Sequence, residues 1–249
     1  MRNLRLTISY DGTDFVGWQT QPGFRTVQET IQKSIEKITN QNITLYASGR
    51  TDTGVHAIAQ VANFRVDTSI SEAKLLTSLN ALLPEDISIS EIIEVPYDFH
   101  SVKDAIKKHY RYVIKQSVIP DPLYRRYSYR VKYELDHQKM HNASQYLIGT
   151  HDFQCFESEW PNRLNSIRTI YRASINRMGP WIWFNIEGNG FLYNMVRSIA
   201  GTLIEIGRGT WPEDKIPELI RLKERKLAGP TAPANGLFLV KVSYEDTIL

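Results

Sequence analysis

The sequence predicts an α+β chain built as two βαββαβ halves laid side by side around a central cleft, and three observations predict it. Alternating apolar stretches and helical stretches follow one another in the same order twice. A content of 42% hydrophobic and 23% charged residues over 249 positions suits one large or two modest globular domains and excludes disorder as the main state. No apolar run approaches the roughly 20 residues that a bilayer span needs.

The elements follow in order. Leu4, Leu6, Ile8 and Tyr10 alternate with polar neighbours, the period-two signature of a half-buried strand. Thr26 and Glu29 have the spacing of a capping box, and Val27, Ile31, Ile35 and Ile38 then recur at helical spacing to about Asn40. Two β-rich stretches at 43–48 and 58–66, expected to neighbour each other, flank a loop holding Gly49 and Gly54. Ser69 and Glu72 suggest a second capping box before a helix through Leu75, Leu76 and Leu79 that must end before Pro84; Ile87, Ile89, Ile92 and Val95 make a strand.

The pattern then returns. Tyr110, Tyr112 and Ile114 alternate as a strand, with an extra strand at 126–133 and a helix at 136–148 that takes Asp136 as N-cap and Gly149 as its stop. Ile167–Ile175 and Trp181–Ile186 read as a hairpin. Phe191, Met195, Ile199, Leu203 and Ile206 define the longest helix, ended by Gly207 and Gly209. A helix at 213–225, a Pro/Gly/Ala linker at 228–236 and a strand at 237–244 close the second half. The duplication lies in element order and not in residue identity, and the domains expected are 1–104 and 105–249.

Charge narrows the partners little. Thirty Lys and Arg against 27 Asp and Glu leave only +3, too mild by itself to demand nucleic acid. Distribution says more: Lys103, Lys107, Lys108, His109 and Arg111 form one basic stretch and Arg125, Arg126, Arg130 and Lys132 another, with Tyr110, Tyr112, Tyr124, Tyr127 and Tyr129 interleaved. Basic side chains among aromatics suit single-stranded RNA; edge strands defended by Lys and Arg would look the same. The single Cys155 allows no intramolecular disulfide and favours a reducing compartment. With a strand where a signal peptide would stand, a cytoplasmic protein is expected.

Chemistry concentrates in Ser48-Gly49-Arg50-Thr51-Asp52-Thr53-Gly54-Val55-His56-Ala57. Its two glycines permit positive φ and close backbone approach, so the side chains between them can be projected into a cleft. A tight connection with an Arg50–Asp52 surface pair is the plainer account. The sequence holds no P-loop, no HExxH, no cysteine–histidine cluster and no GxSxG, so nucleotide, metal and serine-hydrolase chemistries lack their residues, and His56 reads as structural.

The segments ISYDGTDFVGWQTQP (Ile8 to Pro22), VQE (Val27 to Glu29), GRTDTGVHA, LNALLPEDI (Leu79 to Ile87), HYRYVI, GNGFLYNMVR (Gly188 to Arg197) and PTAPANGLFL (Pro230 to Leu239) together resemble the bacterial tRNA pseudouridine synthase A family, in its order and over nearly the whole chain. The resemblance implies the pseudouridine synthase fold of two ferredoxin- or RNA-recognition-like halves. It implies isomerisation of uridine to pseudouridine at positions 38, 39 and 40 of the tRNA anticodon arm, no cofactor or metal, and a homodimer that reads tRNA shape. It puts the catalytic aspartate on Asp52, its charge partner on Arg197, the active-site tyrosine on Tyr110 and an apolar wall of the uracil pocket on Leu237.

Asp52 could attack C1′, add to C6 of the base or remove a ribose proton. A nearby arginine favours its ionised form. Tyr110 could stack on the detached base, and Arg50, a long planar cation beside Asp52, could fill the gap left by a flipped nucleotide. Without the resemblance, Arg197 is a surface charge, Tyr110 a strand aromatic and Leu237 core. The chain departs from the family at Phe99-His100-Ser101-Val102, where an arginine is expected after Phe-x-Ala, in the unusual stretch Lys103 to His109, and at Glu157, Glu159 and Trp160, which make an acidic, bulky loop. A noncatalytic RNA-binding or tRNA-folding protein, or a paralogue with altered uridine choice, is the alternative to the isomerase.

Overall fold

The computed structural model describes residues 1–158 and 165–244; Glu159 and Trp160 lie outside the described residues. The chain divides into two compact units, Met1–Ile106 with the chain from Leu239 onward, and Lys107–Phe238.

In the first unit β1 (Arg2–Tyr10) lies between β3 (His56–Val66) and β4 (Ile87–Val95), antiparallel to both, and the short β2 (Tyr46–Ala47) pairs with β3. With α1 (Val27–Thr39) and α2 (Glu72–Leu82) the order is β1-α1-β2-β3-α2-β4, the split βαβ arrangement expected. Leu4, Leu6 and Ile8 of β1, Ile31 and Ile35 of α1 and Leu75 and Leu79 of α2 are fully buried, as their periods of two and 3.6 require.

The stretch at 43–48 is a strand only at Tyr46 and Ala47. Ile43 and Leu45 are buried, but side chains of α1 take their backbone groups: Ile43 N–H donates to Glu36 (3.3 Å) and Leu45 C=O accepts from Gln28 (3.0 Å), which leaves less for a ladder. Neither expected capping box forms. Thr26 holds the N-cap position of α1 without a side-chain cap bond, and α2 is preceded by Ser71, not Ser69, also without one. Thr26 instead turns its hydroxyl into the interior, where it is buried without a partner.

Past β4 the chain is pinned by a buried polar network. Asn3 Nδ2 donates to Pro96 O (3.0 Å) and Phe99 O (2.9 Å), Asn63 Nδ2 to Asn3 Oδ1 (2.9 Å), and Ser101 N–H to Asn63 Oδ1 (2.9 Å). The end of the chain joins in: Ile106 N–H donates to Ser243 O (2.9 Å), Tyr244 Oη to Ser101 O (2.8 Å), and the Tyr244 ring lies 5.0 Å from that of Phe99. At the departure noted above, Val102 and Lys103 are exposed and outside this network.

In the second unit β5 (Lys107–Gln116) and β8 (Ile167–Met178) flank β9 (Trp181–Gly188), all antiparallel; β6 (Tyr129–Val131) runs parallel to β5 and β7 (Gly149–Asp152) antiparallel to β8. The extra strand is therefore three residues long. Asp136 caps α3 (His137–Gln145) as expected, accepting from Gln138 and Lys139 N–H. That helix ends four residues before Gly149, which at φ +112° opens β7 instead of stopping a helix. Helix α4 (Met195–Gly207) begins four residues later than expected and equals α1 in length. Gly207 lies inside it, close against α3, where a Cβ would stand 2.7 Å from Met140; Gly209 (φ +86°) takes the left-handed turn beyond the helix. Helix α5 (Lys215–Leu222) is shorter than expected, and β10 (Leu237–Ser243) leaves the second unit for the first. Glu157 is buried and accepts from Ser166 (2.7 Å), so it does not belong to an acidic surface.

These two N-caps give opposite predictions. Asp136→Ala should cost about 1 kcal/mol of unfolding free energy in urea titrations. Thr26→Val, which removes a buried unpaired hydroxyl, should hold stability or raise it.

Candidate functional site

The loop from Ser48 to His56 is fixed by backbone pressed against backbone. Trp18 N–H donates to Thr51 O (3.0 Å) and Gly54 N–H to Phe15 O (3.4 Å), so the chain of Phe15–Trp18 runs alongside the loop. Gly17, at φ +76°, stands where a Cβ would meet Thr51 O at 2.8 Å; at Gly12 a Cβ would lie only 2.0 Å from Val55 O. Both positions exclude any other residue unless the loop moves. Val55 N–H returns to Asp52 O (3.1 Å), closing a four-residue turn with Gly54 (φ +76°) at its third place, as a type II turn requires. Gly49, the other glycine expected to need positive φ, does not have it; its carbonyl accepts from Gln60 (2.9 Å).

Buried polar side chains of the first sheet complete the support. Gln60 of β3, fully buried, also accepts from Ser48 Oγ (2.6 Å), and Tyr10 Oη shares a 2.8 Å hydrogen bond with Thr51 Oγ1. Burial drives the Tyr10 hydroxyl far above the ordinary tyrosine range, against the opposing pull of Thr51, so it remains a neutral strut. Gly12 N–H points at His56 Nδ1 (3.0 Å) while Asp11 Oδ1 stands 3.1 Å from the same nitrogen. One nitrogen cannot accept from Gly12 and donate to Asp11 at once. The aligned amide makes Nδ1 the acceptor and puts the ring proton on Nε2, and Asp11 Oδ1 takes its hydrogens from Thr13 N and Oγ1 (3.0 and 2.6 Å). His56, buried, thus has a backbone-holding part, as read from the sequence.

This frame leaves the Asp52 side chain half-exposed and Arg50 exposed. Among the described residues Arg50 makes no hydrogen bond or ion pair, so the Arg50–Asp52 surface pair is not formed. Gly12, Gly17, Tyr10 and Gln60 were not singled out in the sequence. The one signal for the glycines was their place as the fifth and tenth residues of the first motif, with no element that needs them.

In the second unit Tyr110 of β5 is buried, its ring meeting that of Phe191 edge-on at 5.1 Å. Arg197, in the first turn of α4, is half-buried; Nε donates to Ala232 O (2.8 Å) and Nη1 to Asn194 Oδ1 (2.9 Å), while Ala232 N–H donates back to Arg197 O (3.1 Å). The segment that supplies Ala232 closes on α4 because Gly201 and Gly229 lack side chains: a Cβ at Gly201 would lie 1.8 Å from Pro230 O. Leu237, buried, opens β10, and the turn before it is tied down by Tyr112 Oη on Pro233 O (2.7 Å) and Asn235 Nδ2 on Ser128 O (3.0 Å). Cys155 is buried and its thiol pushed up to about 12 by that burial, which makes it inert. Among the described residues no cluster of three metal-ligating side chains occurs, and no helix is long and apolar enough to cross a membrane.

Comparison with known proteins agrees on one family. The family model described as tRNA pseudouridine synthase matches residues 6–102 and 143–245. The tRNA pseudouridine synthase A of Acetivibrio thermocellus is 46% identical over 244 residues, 98% of this chain and all of the relative. That of Bacillus licheniformis is 43% identical over 245 residues, 98% of this chain and 99% of its own. Among solved structures, a Cbf5-Nop10-Gar1 complex matches with a TM-score of 0.34 at 13% identity, covering 80% of this chain and 54% of the matched one, a likeness too slight to argue from.

The glycine contacts are directly testable. Gly12→Ala must displace Val55 or Gly12 itself and should cost about 1–3 kcal/mol in chemical denaturation. Gly23→Ala, at φ +81° with nothing near its Cβ, should cost only the smaller penalty of its backbone conformation.

Proposed function

The chain belongs to the tRNA pseudouridine synthase A family, isomerases that convert uridine in tRNA to pseudouridine, and on that premise we propose that it acts at positions 38, 39 and 40 of the anticodon arm with Asp52 as its catalytic group and no cofactor. The observation that carries this reading is the clamped loop: Gly12 and Gly17 fix the backbone on both sides of Asp52, a residue that is itself half-exposed. Rigid backbone support under a half-exposed aspartate is what a positioned nucleophile or base needs.

The reaction breaks the bond from C1′ to N1, turns the uracil, joins C5 to C1′, and moves one proton from C5 to solvent while N1 takes one up. No atom or electron is gained or lost overall, so an acid–base group suffices. Whether Asp52 attacks C1′, adds to C6 or removes a ribose proton, it begins ionised. In this reading Arg197 holds that charge: its Nε and Nη1 are occupied by Ala232 and Asn194, which orients the guanidinium, and a cation beside a carboxylate favours ionisation. Tyr110, its ring set by Phe191, stacks on the detached base; Leu237 supplies an apolar wall; and the exposed Arg50 enters the stack vacated by the flipped nucleotide.

The homodimer and the cytoplasm belong to the same reading. Trp181 and Trp183 alternate with buried Ile182 and Phe184 along β9 and remain half-exposed, with Lys115 over the Trp181 ring at 4.6 Å and Arg111 5.9 Å from that of Trp183, an aromatic and basic face that this reading gives to the second copy.

Incubated with unmodified tRNA transcripts and no added metal or cofactor, the protein should form pseudouridine at 38–40. Asp52→Asn should abolish turnover, a loss of at least about 10³-fold, with tRNA binding largely kept. Turnover retained by this variant would remove Asp52 from catalysis, and wild-type binding without product would favour a noncatalytic RNA binder or another uridine. Sedimentation of the free protein should give twice the chain mass; a monomer at micromolar concentration overturns the dimer.

A further inference from the structure

Thr51, the residue before Asp52, is gripped at two atoms by two parts of the first motif. Its carbonyl accepts from Trp18 N–H (3.0 Å), and its Oγ1 shares the 2.8 Å hydrogen bond with Tyr10 Oη. Both partners stand on anchored chain. Tyr10 ends β1, where it is paired with Ala57 of β3 on one side and Ile87 of β4 on the other. Trp18 O accepts from Gln28 N–H of α1 (3.0 Å), and the Tyr10 and Trp18 rings lie 6.0 Å apart.

A peptide group is planar, so a bond that fixes its carbonyl fixes its amide as well. The Trp18 bond therefore sets the plane that joins Thr51 to Asp52, and the bond from Val55 N–H to Asp52 O (3.1 Å) sets the plane that joins Asp52 to Thr53. With both planes set, so is the direction in which the Asp52 side chain leaves the backbone. The Tyr10 hydroxyl then ties this arrangement to the middle strand of the sheet, one residue away from the aspartate.

Tyr10 and Thr51 are both buried, at 4% and 7% exposure, so water does not readily replace a lost partner. Taking the oxygen from Tyr10 leaves the Thr51 hydroxyl short of a bond, at a cost that a shift of Thr51 toward another partner would relieve. Such a shift carries with it the peptide plane that holds Asp52. A misplacement of about 1 Å in a reacting group can cost about 10²-fold in rate.

We propose that Tyr10 is a positioning residue of the isomerisation, holding Asp52 in register with the reacting uridine through the Thr51 hydroxyl. This rests on the isomerase reading with Asp52 as its catalytic group. Because the bond orients a reacting group, its loss slows the chemical step and leaves tRNA affinity as it was. A hydroxyl that served stability alone would lower the unfolding free energy and leave the rate of the folded protein untouched.

The test is single-turnover formation of pseudouridine in an unmodified tRNA transcript by the whole protein at saturating concentration, with tRNA binding and urea midpoints measured alongside. Tyr10→Phe and Thr51→Val should each slow product formation by about tenfold or more while the dissociation constant keeps its wild-type value. Thr51→Ser keeps the hydroxyl and should stay within about twofold of the wild-type rate. The double variant Tyr10→Phe/Thr51→Val should be no slower than the slower single one, because both changes remove the same bond. Wild-type rates in Tyr10→Phe and Thr51→Val overturn the proposal even where urea midpoints fall, as do losses that multiply in the double variant or that appear in binding alone. Should Tyr10→Phe fail to fold, Thr51→Val against Thr51→Ser makes the same decision. The reading beneath the proposal is scored separately: no product from the wild type, or turnover kept by Asp52→Asn, sinks that reading, whereas wild-type product that needs Asp52 and survives at full rate in Tyr10→Phe sinks the part given to Tyr10 alone.

Discussion

The backbone of residues 51–55 can lie where it does only because two positions facing it carry no Cβ. At Gly12 the missing atom would stand 2.0 Å from Val55 O, and at Gly17, 2.8 Å from Thr51 O. Everything else about the loop follows from that approach. The amides of Trp18 and Gly54 find partners across it, Thr51 turns inward to Tyr10, and Asp52 stays half-exposed. Hydrogen bonds at such a contact contribute about 1 kcal/mol each, less than the steric cost of one added methyl group, so exclusion rather than attraction defines the site.

The second unit uses the same device with different parts. Gly201 and Gly229 let the chain of 229–232 lie against α4, and Arg197 exchanges two hydrogen bonds with Ala232 across that contact. In each unit a side chain of the proposed site stands on backbone held by backbone, which fixes its origin more tightly than side-chain packing alone. The flexible lengths of Arg197 and Arg50 begin from fixed points.

Much of this was legible from residue order. The strand periods of Leu4–Tyr10 and Tyr110–Ile114 survive because each strand buries one face only, and Asp136 caps its helix because a side chain with its own acceptor faces open amides. Thr26 failed the same test because a capping spacing does not say whether the hydroxyl will turn to the helix or to the interior, and Ser69 because α2 starts after Ser71, which leaves Ser69 two residues short of the cap position. The 43–48 stretch failed because Gln28 and Glu36, distant in sequence, took its backbone groups. Asp52, Arg50, Tyr110, Arg197 and Leu237 are proposed through motifs. What supports them is not, because Gly12 and Gly17 matter through contacts with residues some 35 to 45 positions away that no local pattern records.

The second unit is one continuous stretch of chain, 107–238, whereas the first needs the residues from Leu239 onward. During synthesis the ribosome delivers the amino-terminal strands first, but the partner of Ile106 at Ser243 and that of Ser101 at Tyr244 come last. The first unit must wait, one strand short, while everything between is translated. The unit that holds the Asp52 loop is thus begun before the other and finished after it, and a product truncated after Phe238 would leave that unit open while the other has all its chain.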